Sequence, residues 1–312
     1  MPGDIEHIEY DEFAYFQDNA SEYGVPYEGP PVVRRTSVDL GDGRELSALV
    51  WGDGPPELVL VHGGAQNAHT WDTVALALGR PLLAVDLPGH GHSDRPADNP
   101  DGAVGAEALA GDVARAIRVL APEARGVVGM SLGGMTSIAL AAQAPELVRT
   151  LTLVDVTPGV DGPKSHAIAA FVNGPRTFPS FAEILARTIE HNPTRTEASL
   201  RRGILHNALQ LDDGSWMWRY RRWDDQQGLV GTRREPPNFG RLWDMLGAVE
   251  VPVMLVRGMR PQSVVDDADE AELLRRLPNA RIEHVEEAGH SVQGDTPLEL
   301  AALIRDFTGV GR

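Results

Sequence analysis

Short apolar runs alternate along most of the chain with longer stretches in which apolar residues recur every three or four positions. The short runs predict buried strands at residues 58–61, 82–85, 126–128, 148–154, 251–256 and 281–285. The longer stretches predict helices at residues 70–78, 104–120, 134–142, 266–277 and 297–307. Ahead of them, residues 32–40 and 46–51 flank Gly41-Asp42-Gly43 and predict a hairpin. Continuous apolar strands that alternate with helices are typical of an α/β protein, in which helices cover both faces of a mainly parallel sheet.

Residues 157–247 interrupt this alternation. They show helical patterns at 180–190 and 196–208, no clear buried strand, and the four tryptophans at 216, 218, 223 and 243. Ligands of α/β folds bind at the carboxyl edge of the sheet, so we expect a helical cap over that edge. The predicted core then consists of residues 32–156 and 248–312.

Residues 1–31 differ from the rest because they hold eight acidic and six aromatic residues and neither Lys nor Arg. Like charges favour a disordered tail. The aromatic residues favour an arm that docks onto its own domain, or onto a neighbouring subunit in a homo-oligomer. Composition alone leaves these alternatives open.

Charge and composition exclude several classes of partner. The chain has 312 residues, a formal net charge of −17 and no cysteine. Such a charge disfavours nucleic acids and anionic membranes, and no apolar run approaches the roughly 20 residues that span a bilayer. The lack of cysteine removes disulfides, thiolate metal sites and a cysteine nucleophile. Since no secretory signal is visible either, we expect a cytoplasmic protein.

Residues 129–133 form the pattern G-x-S-x-G between a predicted strand and a predicted helix. In that setting a sharp turn lifts Ser131 to the mouth of the sheet, near a helix N-terminus that favours negative charge. A serine nucleophile needs a base, usually a histidine oriented by a carboxylate. His290 suits this role because it lies between the last predicted strand and the last predicted helix.

Two further motifs follow predicted strands: His62-Gly63-Gly64, and the Gly-rich segment 86–94. In their order and spacing, these motifs together with Ser131 and His290 make the chain resemble the α/β-hydrolase superfamily from about residue 32 onwards. The resemblance implies an eight-stranded, mostly parallel sheet, a triad in the order serine, acid, histidine, and no metal or cofactor. It also implies an oxyanion hole formed by the amides of Gly64 and Leu132. We interpret segment 86–94 as a structural loop.

The acid of the triad departs from the common pattern of that superfamily. Its usual place is a few residues after Gly258, where this chain has no carboxylate. Asp266 and Asp267 come later and suit the start of a helix. A minority of the superfamily takes the acid from the end of the sixth strand, where Asp155 follows an apolar run. We therefore favour Asp155 and keep Asp266 and Asp267 as alternatives.

These residues predict a serine hydrolase that cleaves a carboxylic ester or lactone through an acyl-enzyme. We expect its bulky apolar acyl or alcohol part to face the tryptophans of the cap. One alternative is a hydrolase of carbon–carbon bonds in a dienoic diketo acid, with arginines of the cap holding the substrate carboxylate. Another is a non-catalytic ligand-binding protein, because fold alone does not determine function.

Overall fold

An eight-stranded sheet lies at the centre of the molecule. The computed structural model describes residues 7–95, 105–160, 162–220 and 239–310. Across the sheet, the strands are β1 (Val33–Asp39), β2 (Glu45–Trp51), β4 (Leu82–Val85), β3 (Leu58–Val61), β5 (Gly126–Met130), β6 (Leu151–Val154), β10 (Val253–Gly258) and β11 (Arg281–Val285). Only the β1–β2 and β2–β4 pairs are antiparallel. The predicted mostly parallel sheet is confirmed.

Helices cover both faces of this sheet, as predicted. The described residues form the helices α1 (Phe16–Tyr23), α2 (Asp72–Leu78), α3 (Ala106–Leu120), α4 (Leu132–Gln143), α5 (Gly162–Val172), α6 (Phe181–His191), α7 (Glu197–Asn207), α8 (Phe239–Gly247), α9 (Asp267–Arg276), α10 (Val292–Asp295) and α11 (Pro297–Thr308), of which α5, α6 and α7 belong to the segment between β6 and β10. Side chains alternate between two cores: Val59 and Val61 pack with α3, α4 and α8, while Leu58 and Leu60 pack with α1, α2 and α11.

The strand boundaries match the apolar runs closely, and the strands predicted at 58–61, 82–85 and 281–285 are confirmed at both ends. The strand predicted from residue 148 begins only at Leu151. A 3₁₀ turn over Pro145–Leu147 precedes it, and the Val148 amide donates to the Pro145 carbonyl rather than to the sheet. Apolar character extends one turn beyond the strand because Leu147 and Val148 are buried in the core.

The segment between β6 and β10 was predicted to be helical, but it also contains strands. Besides α5, α6 and α7 it contains a three-stranded antiparallel sheet of β7 (Thr177–Phe178), β9 (Trp216–Trp218) and β8 (Ala208–Gln210). Trp216 and Trp218 are buried in a small core that this insertion forms with Phe178 and Ile204. Strands of two or three residues are too short to leave a periodic pattern, which explains why the sequence did not reveal them.

Residues 7–31 pack against their own domain. Phe16, on α1, is 2% exposed and belongs to the core beneath α2 and α11. The Tyr23 hydroxyl donates to the Gly294 carbonyl at 2.8 Å, which ties the arm to α10. A disordered tail is therefore wrong for these residues, whereas contact with a neighbouring subunit stays a prediction. Residues 1–6 lie outside the described part of the chain.

A buried charged cluster fastens the arm. Glu12 contacts Arg35 at 2.6 Å and His69 at 3.2 Å, and the other ring nitrogen of His69 lies 2.9 Å from Asp72. Burial alone would lower the pKa of His69, but the charge of Asp72 and hydrogen bonds to Asp72 and Glu12 raise it to about 9. His69 is thus an imidazolium that joins the arm to the core at neutral pH.

Glu12→Gln should lower the free energy of unfolding at pH 6.5 by about 1–2 kcal/mol, because His69 and Arg35 lose a partly buried partner. The folded-state pKa of His69 is raised, so its stabilising effect is complete below its unfolded value and disappears as pH rises through about 9. Urea unfolding from pH 6 to 10 checks both effects, with exposed Glu9→Gln as the control. If the free energy of unfolding of E12Q depended on pH in the same way as that of the wild type, the contact between Glu12 and His69 would not contribute to stability as expected.

Among the described residues, no helix combines the length and the apolar character that crossing a bilayer requires.

Candidate active site

Ser131 lies in a strained turn between β5 and α4. Its φ is 51°, in the left-handed region that costs a residue with a side chain roughly 1–3 kcal/mol. A Cβ on Gly133 would lie 2.2 Å from the Val61 carbonyl oxygen, and one on Gly129 would lie 2.5 Å from that of Gly133. The turn therefore closes only because both positions are glycine, as the G-x-S-x-G pattern suggests.

Asp155 and His290 come together at the carboxyl edge of the sheet. Asp155 directly follows β6 and has a φ of 45°, and His290 lies between β11 and α10. The Nδ1 atom of His290 is 2.9 Å from Oδ2 of Asp155. The Asp155 carboxylate is completely buried, while the His290 side chain is 11% exposed. The structure thus places a carboxylate where it can orient a histidine.

Three donors besides His290 surround the Asp155 carboxylate. The amides of Gly258 and Val264 each donate to it at 3.0 Å, and the Ser263 hydroxyl donates at 2.6 Å. Such bonds offset the cost of burying a charged group. Ser263 follows β10, near the place where the superfamily's usual acid would stand. Sequence reasoning missed this residue, although a hydroxyl in place of the absent carboxylate was a usable signal.

Asp266 and Asp267 lie elsewhere and make other contacts. Asp266 caps α9, where its carboxylate accepts the amides of Ala268 and Asp269, both at 3.0 Å. The Asp267 side chain is 95% exposed and pairs with Arg257 at 2.8 Å. Of the three candidate acids, only Asp155 has a hydrogen bond with His290 in the described parts of the chain.

Two neutral histidines hold the loop at residues 63–65. His62 accepts the Leu87 amide at Nε2, 2.9 Å away, so its Nδ1 carries the proton and donates to the Gly63 carbonyl at 2.7 Å. His90 accepts the Ala65 amide at 3.1 Å. Burial lowers the pKa of both rings, that of His90 to about 3. Segment 86–94 therefore acts as a brace for this loop, in agreement with its structural interpretation.

Gly64 and Leu132, whose amides the resemblance implies for the oxyanion hole, lie close to each other. Leu132 is the first residue of α4, so its amide has no acceptor within the helix. A Cβ built on Gly64 would lie 4.0 Å from the Leu132 side chain, which shows how closely the loop approaches the helix. Ala65, next in the loop, has a φ of 60°. Among the described non-glycine residues, positive φ values thus occur only at Ser131, Asp155 and this loop, as strained backbone often does at functional sites.

A cavity of about 360 Å³ opens onto these residues. Its lining includes Ser131, His290, Gly64 and Leu132. It also includes four apolar residues of α5, namely Ala167, Ile168, Phe171 and Val172. None of the described tryptophans lines this cavity, although Trp218 lines a neighbouring one, so the contact between substrate and tryptophans stays a prediction. Trp243 instead packs in the main core. Trp223 lies outside the described residues.

One cluster of described residues offers ligand atoms close enough for a metal ion: His69, Asp72 and His206, whose atoms lie within 4.8 Å of one another. The two rings stack at 4.0 Å with an interplanar angle of 11°. Parallel rings direct their lone pairs along separate planes, and both nitrogens of His69 already contact carboxylates. A shared ion would require both rings to turn, so this arrangement does not fit a tetrahedral site.

Known proteins share both the sequence pattern and the fold. A family profile described as alpha/beta hydrolase fold matches residues 56–297. Esterase Rv0045c of Mycobacterium tuberculosis is 45% identical over 98% of both chains. Its crystal structure matches with a TM-score of 0.81 and 44% identity, covering 96% of this chain and 99% of that one. The 3-hydroxybutyrate-oligomer hydrolase of Cupriavidus necator is 30% identical over 83% of this chain and 91% of its own.

The resemblance inferred from the motifs is confirmed by these similarities, since the profile covers most of the predicted core and the insertion within it. The chain belongs to the α/β-hydrolase family.

Proposed function

We propose that this chain is a serine hydrolase that cleaves a carboxylic ester or lactone through an acyl-enzyme. The observation that carries the proposal is the hydrogen bond between buried Asp155 and His290, beside the cavity that Ser131 lines. Ser131 attacks the acyl carbon while His290 takes its proton at Nε2. Asp155 accepts a hydrogen bond from the protonated Nδ1 of His290, which fixes the orientation and the tautomer of the ring.

The amides of Gly64 and Leu132 receive the negative charge that develops on the carbonyl oxygen. Removal of one such donor from a hydrolase typically costs about 3 kcal/mol of transition-state stabilisation. His290 returns its proton to the leaving alcohol, and the acyl group stays on Ser131. Water then attacks this acyl-enzyme with His290 as its base, which releases the acid and restores the serine.

The ester class draws its support from the Mycobacterium tuberculosis relative, which is named an esterase. An apolar group on the substrate is supported by α5, because Ile168, Phe171 and Val172 give the cavity an apolar wall. We therefore assign to the substrate an apolar acyl or alcohol part that contacts α5.

Phe171→Ala should raise KM for long-chain esters about tenfold and leave KM for acetate within about threefold, because only a long chain reaches the lost ring. Phe181→Ala is a matched control: both rings are partly buried against the core of the insertion, and only Phe171 lines the cavity. Steady-state kinetics with 4-nitrophenyl esters from two to twelve carbons measure the effect. Equal KM changes for short and long esters would contradict the assigned wall.

The same enzyme preparation separates the rival functions. The proposal predicts turnover of 4-nitrophenyl esters or of simple lactones. Faster cleavage of a dienoic diketo acid than of any ester would favour the carbon–carbon bond hydrolase, which uses the same three side chains. Saturable binding of these compounds without turnover of any would favour a ligand-binding protein.

A further inference from the structure

A second cavity, of about 170 Å³, adjoins the catalytic one. The two share Gln66, Phe171 and Asn192 as wall residues. Gln66 also reaches the oxyanion loop, because its Oε1 accepts the Gly63 amide at 3.1 Å. The rest of the second lining comes mainly from α7, α10 and the turn before α2. A ligand that fills both cavities would therefore pass close to the residues proposed for catalysis.

The described lining of this second cavity contains three cations and neither Asp nor Glu. The cations are His69, Arg195 and Arg202. Carboxylates behind the wall neutralise two of them: Asp72 pairs with His69, and Glu22 pairs with Arg202. A cavity lined by cations and by no acidic residue stands out in a chain with a net charge of −17, and it would attract an anionic group.

Arg195 is the cation that has no such partner. Within residues 7–95, 105–160, 162–220 and 239–310, no carboxylate lies within salt-bridge distance of its guanidinium. Its Nη2 donates to the Ser199 hydroxyl, and its Nε is buried without a hydrogen-bond acceptor in the same part of the chain. A partly buried guanidinium without an anion is costly, so a bound carboxylate would complete the site.

The guanidinium of Arg195 occupies space that a side chain at position 294 would fill. A Cβ built on Gly294 would lie 2.0 Å from Nη1 of Arg195, so the side chain lies directly against the glycine. Beside it, Gln293 is 1% exposed, and its Oε1 has no partner among the described residues. Two polar atoms beside Gly294 therefore lack hydrogen-bond partners among the described residues, and an ordered water or a polar ligand would have to satisfy them.

We propose that this cavity binds a carboxylate carried by the ester substrate, with Arg195 as the residue that determines this specificity. The inference rests on the proposed function and narrows its substrate class to esters with a carboxylate several atoms from the scissile carbonyl. Monoesters of dicarboxylic acids are the simplest members of this class. The apolar chain between the two groups contacts α5, and the terminal carboxylate lies on Arg195.

The kinetic test compares matched charged and neutral esters. The acyl-side pair is 4-nitrophenyl hydrogen glutarate and 4-nitrophenyl pentanoate; the alcohol-side pair is the butyrate esters of 5-hydroxypentanoic acid and pentanol. The wild type should prefer the charged member of one pair at least tenfold in kcat/KM. Arg195→Met should lower kcat/KM for the preferred charged ester about 30-fold and leave kcat/KM for the neutral esters within about threefold. Arg195→Lys should restore part of the preference, and exposed Arg201→Met is the control.

Calorimetric binding of glutarate and pentanoate to the wild type and to Arg195→Met keeps the test independent of turnover. Glutarate should bind the wild type at least tenfold more tightly than pentanoate, and R195M should remove the difference. Hydrolysis of the neutral esters with no preference for either charged one, and no preference in binding, would overturn the carboxylate site and leave the hydrolase assignment intact. Selective glutarate binding without hydrolysis of any ester would support the site and contradict the proposed function.

Discussion

Ser131→Ala should lower kcat for an ester substrate by at least about 10⁴-fold, because the reaction loses its nucleophile while the cavity and oxyanion loop remain. KM should change little, since the hydroxyl contributes mainly to the transition state. The fold should persist, because this chain already accommodates an alanine at a positive φ, namely Ala65. Stopped-flow and steady-state hydrolysis of a 4-nitrophenyl ester measure the loss.

The matched control is Ser21→Ala, which removes an exposed hydroxyl from α1 and should leave kcat unchanged. A Ser131→Ala variant with more than a tenth of wild-type kcat would contradict the nucleophile assignment. Far-UV circular dichroism and a melting curve of both variants separate a catalytic defect from a folding defect.

Asp155→Asn should lower kcat about 10³–10⁴-fold. Asparagine keeps the shape of the side chain, but an amide nitrogen in place of Oδ2 would face the Nδ1–H of His290 and the Val264 amide, which are both donors. His290 would then favour the tautomer that carries its proton at Nε2 and could not accept the proton of Ser131. The same kinetic assay measures the change.

Asp266→Asn and Asp267→Asn are the matched controls, and each should leave kcat within about threefold. Asparagine caps a helix about as well as aspartate, so Asp266→Asn should lose only its ion pair with Lys164, at a cost of up to about 1 kcal/mol of stability and none of activity. A ranking in which Asp266→Asn or Asp267→Asn is the more damaging substitution would move the acid to the loop after β10.

The sheet was predictable because its strands are buried on both faces, so continuous apolar runs such as residues 58–61 end where the strands end. Asp155 was a candidate for a related reason: a carboxylate that follows such a run is buried and needs a partner. Its contacts were beyond the sequence, because Ser263 lies 108 positions away and reaches it only through the pairing of β6 with β10.

The insertion was the least predictable region. Trp216 and Trp218 suggested a binding surface, yet large aromatic side chains also fill small cores, and these two fill the core of the insertion. The apolar wall of the catalytic cavity comes instead from α5, whose apolar residues show no amphipathic repeat that would have marked one face. The arm was ambiguous for a similar reason, because the ion pairs of Glu12 form only in the folded chain.

Intact-protein mass spectrometry after treatment with a fluorophosphonate shows directly whether Ser131 is an activated nucleophile. We expect one covalent adduct on the wild type and none on Ser131→Ala, with labelling slowed strongly in Asp155→Asn. Absence of an adduct on the folded wild type, or an adduct that persists in Ser131→Ala, would contradict this role of Ser131.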